Sequence, residues 1–570
     1  MPEQNAERKN AYVAMYDVRG IQGYIYRTNK LKEIIAASRI VENIFEESLK
    51  LAIEKLNISR FSLKWEKQEY KESKTGEGYD VQVLFIGGGN AFVQYSSGEL
   101  CHKVNRKLAG LILDRTYSMQ LACASKEKST DYFKDYKELS RQMGQVKGKM
   151  PMTHTFHALP IVQTDRETGY PVVEKRTEQY DSGIRTVLLS EESRLKRNAA
   201  RKYEDRHINV KTEKIFDNMV SQKGKDSFLA VVHIDGNSMG KSIAKLMDPS
   251  NCKEGQNNYE LAVSQMRKIS YNIRHSFREV YNEMQDWACA HSVLKDGNIP
   301  IREIICAGDD ITFVCNGSMA LDCVEYFLEN ISRRAMYWDT YDPKDITSQD
   351  IERYGFSACA GIAYFKSHYP FSDAYQTAEA CCSSAKKRAK SKQHTVETAD
   401  GQSRRIGNWL DFQICLHISS SDLEQSRIKN YSIFDGTRLE RRPYYVPFQL
   451  DMEGTDEDIC RKQLNERNSA FDFSQFRNIY RHFNDRNKIP SGLAKSFRDT
   501  YSYGKKEMER LADFAKSRLK ELPGSPYICD PDRKDASEET IAAWYDALEM
   551  QELYADIYKR EDGQDGKNQD

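Results

Sequence analysis

Long apolar runs, paired cysteines and a net charge are all missing from this sequence. No stretch approaches the roughly 18 apolar residues of a membrane span, and the polar N-terminus lacks the apolar segment of a signal peptide. We therefore predict a cytoplasmic protein. The 13 cysteines include no C-x-x-C pair, which argues against a secreted disulfide framework and a four-cysteine zinc site. Because Lys plus Arg and Asp plus Glu both total 85, any contact with nucleic acid must come from local basic patches.

Two similar patterns of strands and helices follow one another along the 570 residues. Residues 12–18 indicate a buried strand that leads into a helix, and residues 81–95 indicate a hairpin around Gly87-Gly88-Gly89-Asn90. Residues 228–235, 258–290 and 302–316 repeat this order of strand, turn, helix and strand pair. We therefore predict an α/β (α+β) protein with two ferredoxin-like palm domains that arose by internal duplication.

Three carboxylates occur where the strands of the second pattern end. Asp235 closes an apolar strand, and Asp309 and Asp310 lie in a tight turn between two others. Neighbouring carboxylates repel each other and raise each other's pKa unless a cation is present. Mg²⁺ or Mn²⁺ meets that need, and an open site of carboxylate oxygens is typical of nucleotidyl transfer. On the turn alone a simple surface turn remains an alternative, since Gly-Asp is common turn chemistry.

The loop after Asp235 is a candidate phosphate-binding element. Its residues, Gly236-Asn237-Ser238-Met239-Gly240, lead into a helix whose free backbone amides could bind a triphosphate. It is not a Walker A motif, because only three residues separate the glycines. Lys386 is a candidate for holding the leaving pyrophosphate, and a solvated basic helix end is the alternative for that residue.

Residues 228–240, 302–316 and 378–386 resemble the nucleotide-cyclase palm that is shared by GGDEF diguanylate cyclases and the large subunit of type III CRISPR effector complexes. The CRISPR subunit fits better. Its Gly-Gly-Asp-Asp turn is similar to Ala307-Gly308-Asp309-Asp310, and its strand end is similar to Ile234–Asn237. Its first palm is similar to Asp17–Ile25 and to the Gly87–Asn90 turn.

This resemblance implies a cyclic oligoadenylate synthase that uses ATP and Mg²⁺ (or Mn²⁺) in antiviral defence. It implies CRISPR RNA, target RNA and other effector subunits as partners, and leaves the ring size and linkage of the product open. The first palm would position a second ATP without a metal site of its own. The implied catalytic and metal-binding residues are Asp235, Asp309 and Asp310; the implied nucleotide-binding residues are Gly236, Asn237, Ser238, Met239, Gly240, Gly308, Lys386, Gly88, Gly89 and Asn90.

Departures from related families narrow the prediction. Ile243 stands where diguanylate cyclases carry a guanine-reading Asn, and Gly240 stands where viral-type RNA polymerases carry a second Asp. None of the 11 histidines is followed by Asp, so we expect no HD nuclease domain of the kind that begins many CRISPR large subunits. A free-standing nucleotide cyclase of an anti-phage system and a non-catalytic ribonucleoprotein scaffold are the alternatives.

Composition and the two patterns suggest domain boundaries. The predicted domains are a non-catalytic first palm (1–125), a connector without a zinc site (126–225), a catalytic second palm (226–406), a mixed segment (407–455), a helical domain (456–560) and a disordered tail (561–570). Within the second palm we predict helices over 320–337 and 371–392 and a strand over 354–365. Since the connector lacks cysteine, we expect packing to hold it. The basic runs 194–211 and 386–405 could contact RNA, although solvated faces are the simpler interpretation.

Overall fold

The computed structural model describes most of the chain. The described residues are 11–66, 78–87, 89–151, 161–180, 183–207, 219, 228–246, 259–292, 294, 300–337, 353–367, 369–397, 404–415, 422–449, 456–518, 521–529 and 539–558. The predicted tail 561–570 and Gly88 lie outside them.

The strands are β1 (Tyr12–Arg19), β2 (Phe61–Ser62), β3 (Val81–Gly87), β4 (Asn90–Tyr95), β5 (Gln120–Glu127), β6 (Val172–Tyr180), β7 (Gly183–Ser190), β8 (Phe228–Gly236), β9 (Ile301–Ala307), β10 (Asp310–Asn316), β11 (Ala335–Tyr337), β12 (Arg353–Gly355), β13 (Ala358–Lys366), β14 (Val396–Glu397), β15 (Arg404–Arg405), β16 (Asn408–Ile414), β17 (Tyr444–Val446), β18 (Tyr527–Cys529) and β19 (Glu539–Ala542).

The helices are α1 (Ile21–Ile25), α2 (Leu31–Glu42), α3 (Ile44–Lys55), α4 (Gly98–Thr116), α5 (Tyr132–Lys149), α6 (Glu191–His207), α7 (Met239–Leu246), α8 (Tyr259–Ala290), α9 (Ala320–Ile331), α10 (Phe371–Ala389), α11 (Leu423–Tyr431), α12 (Asp456–Arg467), α13 (Phe473–Asn484), α14 (Ser491–Thr500), α15 (Lys505–Arg518) and α16 (Tyr545–Glu549). None of the described helices is long and apolar enough to cross a bilayer.

The first sheet has the strand order β2-β3-β4-β1-β5. Strand β1 lies between β4 and β5 and is antiparallel to both, and β3 and β4 form the predicted hairpin. Apolar side chains of these strands, such as Val13, Val83 and Val93, are fully buried. The four strands β3-β4-β1-β5 therefore have the order and direction of a ferredoxin-like palm.

The second sheet repeats that arrangement. Its order is β17-β16-β13-β8-β10-β9, so β8 lies between β10 and β13 as β1 lies between β4 and β5. The prediction of two ferredoxin-like palm units in an α/β fold is thus confirmed. Strands β16 and β17 come from the predicted mixed segment and extend this sheet beyond the four-strand unit, with β16 parallel to β13.

The strand registers relate the two palms residue by residue. In the second palm Asp310 pairs with Ala307 across the hairpin and with Asp235 on the central strand. In the first palm Asn90 pairs in the same way with Gly87 and with Asp17. Asp17 therefore corresponds to Asp235, and Asn90 corresponds to Asp310.

The palms pack against each other through polar contacts around a shared apolar core. Arg267 on α8 is buried and donates hydrogen bonds to the carbonyl oxygens of Val83 (2.7 Å) and Leu84 (2.6 Å) on β3. From the other side Glu42, at the end of α2, lies 3.3 Å from Arg278 on α8. Buried residues of both sheets belong to one continuous cluster.

Two stretches differ from their predicted structure. Residues 132–149, predicted as connector, form α5, whose Tyr132, Leu139 and Met143 are buried and which packs on β1 and β5. The many charged residues of this stretch lie on the exposed face of the helix. Its apolar residues recur at helical spacing and face the first palm, so α5 is that palm's second helix. The helix predicted over 320–337 ends at Ile331, because residues 335–337 pair with β12 as strand β11.

Buried ion pairs, as well as packing, fasten the connector to the first palm. Arg197 on α6 lies 2.7 Å from Glu33 on α2, and both side chains are at most 5% exposed. Lys196 and Glu192 form a fully buried pair at 2.7 Å, and Lys196 also donates to the carbonyl oxygen of Tyr24. A buried charge that loses its partner is strongly destabilising. The Arg197–Glu33 pair and the hydrogen bond from Lys196 to Tyr24 therefore fix α6 against the first palm.

Candidate functional site

The second sheet brings the three predicted carboxylates together. Asp235 and Asp310 are direct neighbours on β8 and β10, and Asp309 lies in the two-residue turn that joins β9 to β10. Gly308, the first turn residue, has φ +68°. A glycine with positive φ at this place is typical of a type II′ hairpin, which matches the twist of the flanking strands. The turn therefore projects Asp309 beside the end of β8.

Gly236 allows the Asp309 carboxylate to approach the strand end. A Cβ atom on residue 236 would lie 2.8 Å from Asp309 Oδ2, closer than side chains tolerate. The amide of Gly236 also donates a hydrogen bond to the carbonyl oxygen of Asp309, at 3.2 Å. The absence of a side chain at this position thus lets the turn and the strand end form one compact acidic site.

The surroundings of Asp309 and Asp310 raise the pKa values of both carboxyl groups. Burial raises the pKa of Asp309 to about 6, and the charge of Asp235 adds to the effect. Burial likewise raises the pKa of Asp310 to about 8, with contributions from Asp235 and Asp309. The Asp310 side chain is 41% exposed, yet its Oδ1 atom is buried and has no hydrogen-bond partner. An additional cation at this site would relieve both features.

Lys386 supplies a positive charge at the same place. Its Nζ atom contacts Asp235 Oδ2. Burial alone would lower the pKa of Lys386, but the Asp235 carboxylate raises it above its ordinary value. The predicted alternative, a solvated helix end, does not describe this residue, whose side chain is only 18% exposed.

A close approach of α10 to β13 places Lys386. A Cβ atom on Gly361 of β13 would lie 2.0 Å from the carbonyl oxygen of Ala378 and 2.2 Å from the amide nitrogen of Cys382. Only glycine fits there, so the helix backbone rests directly on the strand. This contact lets α10 run past the end of β8, where its last turns carry Lys386.

His233 is a neighbour of the site that the sequence motifs did not reveal. Its Nδ1 atom lies 3.1 Å from Thr312 Oγ1 and 3.4 Å from Asp310 Oδ1. Burial lowers the pKa of His233 to about 4, so the ring is neutral at pH 7. Tyr375 of α10 packs edge-on against it with ring centres 5.8 Å apart, and Tyr26 of the first palm stacks on Tyr375 at 3.6 Å. The two palms therefore meet beside Asp310.

The predicted phosphate loop has two parts: Asn237 is held by side-chain hydrogen bonds, and the residues after it are not. The Asn237 side chain is buried and hydrogen-bonds Ser357 Oγ (3.2 Å), the Gly407 carbonyl oxygen (3.0 Å) and Cys359 Sγ (3.3 Å). Its amide group is therefore already engaged by the protein. Ser238 follows with φ +57° and precedes α7. The amides of Ser238, Met239 and Gly240 donate to no backbone carbonyl within the described part of the chain.

The first palm has a lysine–aspartate pair like that of Lys386 and Asp235, but it lacks the two turn carboxylates. Lys147 on α5 contacts Asp17, the counterpart of Asp235. Lys147 is the sixteenth residue of α5, and Lys386 is the sixteenth residue of α10. Gly89, with φ +81°, and Asn90 take the places of Asp309 and Asp310. Sequence reasoning missed Lys147; counting along the helix that follows the fourth strand of each palm would have found it.

The site offers the oxygen ligands that Mg²⁺ prefers, although the described side chains form no ready-made cage. Over the described ranges, no group of three or more His, Cys, Asp or Glu side chains has a geometry that could hold a metal ion as it stands. One or two carboxylates suffice for Mg²⁺ when substrate phosphates and water complete its coordination. The unpartnered Asp310 oxygen and the raised pKa values of Asp309 and Asp310 fit such an ion.

The chain is similar to known proteins over this site. Residues 228–395 match the family model for the second palm domain of Cas10/Cmr2, and no curated protein matches the sequence. Similar solved structures include a Csm1–Csm4 cassette in complex with cA4, at 12% identity and a TM-score of 0.47, with 96% of this chain and 70% of that chain covered. Csm1 in T. onnurineus is similar at 12% identity and a TM-score of 0.43, with 96% and 69% covered.

Proposed function

We propose that the chain is a nucleotidyltransferase that converts ATP into a cyclic oligoadenylate or a related adenylate, because residues 228–395 match the family model for the second palm domain of Cas10/Cmr2. The observation that carries this proposal is the convergence of Asp235, Asp309, Asp310 and Lys386 at the end of β8. Target RNA recognition in antiviral defence is the setting that the family implies.

In this proposal Asp235, Asp309 and Asp310 hold Mg²⁺ (or Mn²⁺) together with the triphosphate. The bound ions supply charge stabilisation at the reacting phosphate and lower the pKa of the attacking 3′ or 2′ hydroxyl. Asp309 and Asp310 are poised for that role, because burial and the charge of Asp235 raise their pKa values and make their ionised forms unfavourable without a cation. His233, neutral and hydrogen-bonded to Thr312, lies beside Asp310.

Lys386 and the loop after Asp235 bind the triphosphate. In the structure the Lys386 ammonium neutralises Asp235, and a shift of this flexible side chain brings it to the leaving pyrophosphate, where charge develops. The amides of Ser238, Met239 and Gly240 point from the N-terminus of α7, where helix geometry favours anions. Asn237 holds the loop in place through Ser357 and Gly407.

The first palm positions a second ATP without a metal ion. Gly89 and Asn90 replace the two turn carboxylates, while Lys147 remains beside Asp17 to contact phosphate. The contact of Tyr26 with Tyr375 joins this palm to the second one next to Asp310. In this proposal the second palm provides the metal ligands, and the first palm positions the other ATP.

Partners follow from the family. We expect the chain to act with CRISPR RNA, target RNA and other effector subunits. A free-standing nucleotide cyclase of an anti-phage system remains the second candidate, because the carboxylate site would serve both. A non-catalytic scaffold is disfavoured, since a scaffold has no need of Asp309 and Asp310, whose raised pKa values mean that ionising them costs stability.

Radiolabelled ATP tests the proposal and separates these candidates. The full chain is incubated with Mg²⁺, with and without its guide complex and matching target RNA, and products are resolved from ATP. Conversion that needs target RNA supports the proposed function, and conversion without RNA favours the free-standing cyclase. If no preparation converts ATP, the synthase proposal fails; a preference for GTP would favour a diguanylate cyclase.

A further inference from the structure

The first palm contacts the helix that carries Lys386 along one face. We define the clasp as three contacts between the segment 22–29 and α10: Asn29 with Ser372, Tyr26 with Tyr375, and Gln22 with Glu379. Positions 372, 375 and 379 are three or four residues apart, so they share one face of the helix. The segment 22–29 therefore runs along that face in the direction opposite to α10.

The outermost contact of the clasp caps α10. Asn29 Oδ1 accepts hydrogen bonds from the amide (3.2 Å) and the hydroxyl (3.0 Å) of Ser372. Amides in the first turn of a helix have no partner inside the helix, and the N-cap residue Pro370 provides no side-chain hydrogen bond. The first palm thus supplies a cap that α10 lacks within its own domain.

The two inner contacts lie nearer to the acidic site. Tyr26 and Tyr375 are buried and stack with ring centres 3.6 Å apart. Gln22 Nε2 donates a hydrogen bond to Glu379 Oε1 at 2.9 Å. Burial is the main cause of the raised pKa of Asp310, and the Glu379 carboxylate is among the charges that add to it. The clasp therefore ends beside the carboxylates of the second palm.

Lys386 follows on the same face of the helix. Seven residues, close to two turns, separate it from Glu379. Ser372 lies roughly 12 Å before the contact of α10 with Gly361, and Lys386 lies roughly 9 Å after it, at about 1.5 Å per residue. If the helix tilts about that contact, a shift of about 1 Å at Ser372 moves the backbone of Lys386 by roughly 0.75 Å. The clasp and the Gly361 contact together fix the direction of α10.

We propose that Gln22, Tyr26 and Asn29 are positioning residues for Lys386. This inference rests on the proposed function: the clasp holds α10 so that the Lys386 ammonium reaches the leaving pyrophosphate. Ile21, the neighbour of Gln22, has its Cδ1 atom 3.0 Å from the place that a Cβ on Gly89 would take. The clasp therefore joins the turn that positions one ATP to the helix that serves the other.

The expected effects on rate and on stability differ in size. Gln22 and Asn29 are exposed, and hydrogen bonds at the surface contribute little to the stability of a large protein. In contrast, a misplacement of about 1 Å in a catalytic site can lower the rate on the order of 100-fold. Because the flexible lysine side chain compensates part of the shift, we expect a loss of about tenfold.

An exchange of the innermost pair tests the proposal. Pyrophosphate release with Mg²⁺, guide complex and target RNA is compared in wild type, Gln22→Glu, Gln22→Glu/Glu379→Gln and Gln376→Glu. The first variant sets two carboxylates against each other, and the double variant restores an amide–carboxylate hydrogen bond with the two groups exchanged. Gln376 is exposed on α10, so its variant controls for a new charge on this helix.

Only the unmatched pair should slow the reaction. We expect Gln22→Glu to lower kcat about tenfold, with little change in the KM for ATP, because leaving-group charge develops in the transition state. Its melting temperature should stay within about 2 °C of wild type. The double variant and Gln376→Glu should match wild type. A kcat of Gln22→Glu equal to that of wild type refutes the clasp. A parallel fall in kcat and melting temperature that the double variant does not restore leaves a structural role only, and also refutes it.

Dependence on Lys386 separates positioning from a direct effect of charge on the metal site. In the Lys386→Ala background, in which slow release is followed over hours, Gln22→Glu should have no further effect, because no ammonium is left to misplace. A loss that persists at full size in that background refutes positioning through Lys386. Absence of pyrophosphate release by the wild type instead refutes the proposed function, and the clasp with it.

Discussion

Gly361→Ala should loosen the contact that positions Lys386. The new Cβ atom would lie 2.0 Å and 2.2 Å from two backbone atoms of α10, where van der Waals contact needs roughly 3.5 Å. Because both atoms belong to the helix backbone, no rotation of a side chain relieves the overlap. Either α10 or β13 must move by on the order of 1 Å, and overpacking of this kind destabilises by about 3 kcal/mol.

Urea unfolding and ATP turnover measure the two consequences. We expect a lower unfolding midpoint and a loss of turnover, because a displaced α10 withdraws Lys386 from Asp235. Gly144→Ala is the matched control, since a Cβ there meets no atom within 4 Å and the change in a helix interior should add about 0.5–1 kcal/mol of stability. A Gly361→Ala protein as stable and active as wild type would refute the packing argument.

Three further predictions concern single side chains. Asp310→Asn should raise the melting temperature in metal-free buffer, and more at pH 8 than at pH 5: the pKa of Asp310, about 8 when folded, lies above its ordinary value, so ionisation costs stability as the pH rises. An equal gain at both pH values would contradict this. Lys147→Ala should raise the KM for ATP in a pyrophosphate assay while Lys149→Ala does not; a fall in melting temperature with an unchanged KM would mean a structural role only. Asn237→Ala removes three side-chain hydrogen bonds and should cost about 1–3 kcal/mol in urea unfolding; an unchanged midpoint would refute its bracing role.

The strand ends could be predicted from sequence because their signals are local. One apolar strand carries Asp235 next to its end and another begins at Asp310, so strand pairing alone could bring these carboxylates together. The turn glycine, Gly308, is likewise a local signal, since the turn type demands it. The proximity of the three carboxylates therefore follows from local patterns in the chain.

Other features depend on contacts that sequence spacing does not reveal. Helix α5 looked like connector because charge dominates its composition, although three buried apolar residues fix it to the first sheet. Lys147 is recognised as the counterpart of Lys386 only when the two palms are aligned by their strand registers. The steric role of Gly361 depends on a helix that lies many residues later in the chain.

Pyrophosphate release from ATP by a variant of the turn tests the central claim most directly. Wild type, Asp309→Asn/Asp310→Asn and the control Asp513→Asn, whose side chain is 79% exposed, are assayed with Mg²⁺, guide complex and target RNA. We predict that the wild type and Asp513→Asn release pyrophosphate at the same rate, and that the double variant releases none although it is at least as stable as wild type. Release by the double variant at the wild-type rate would contradict the account.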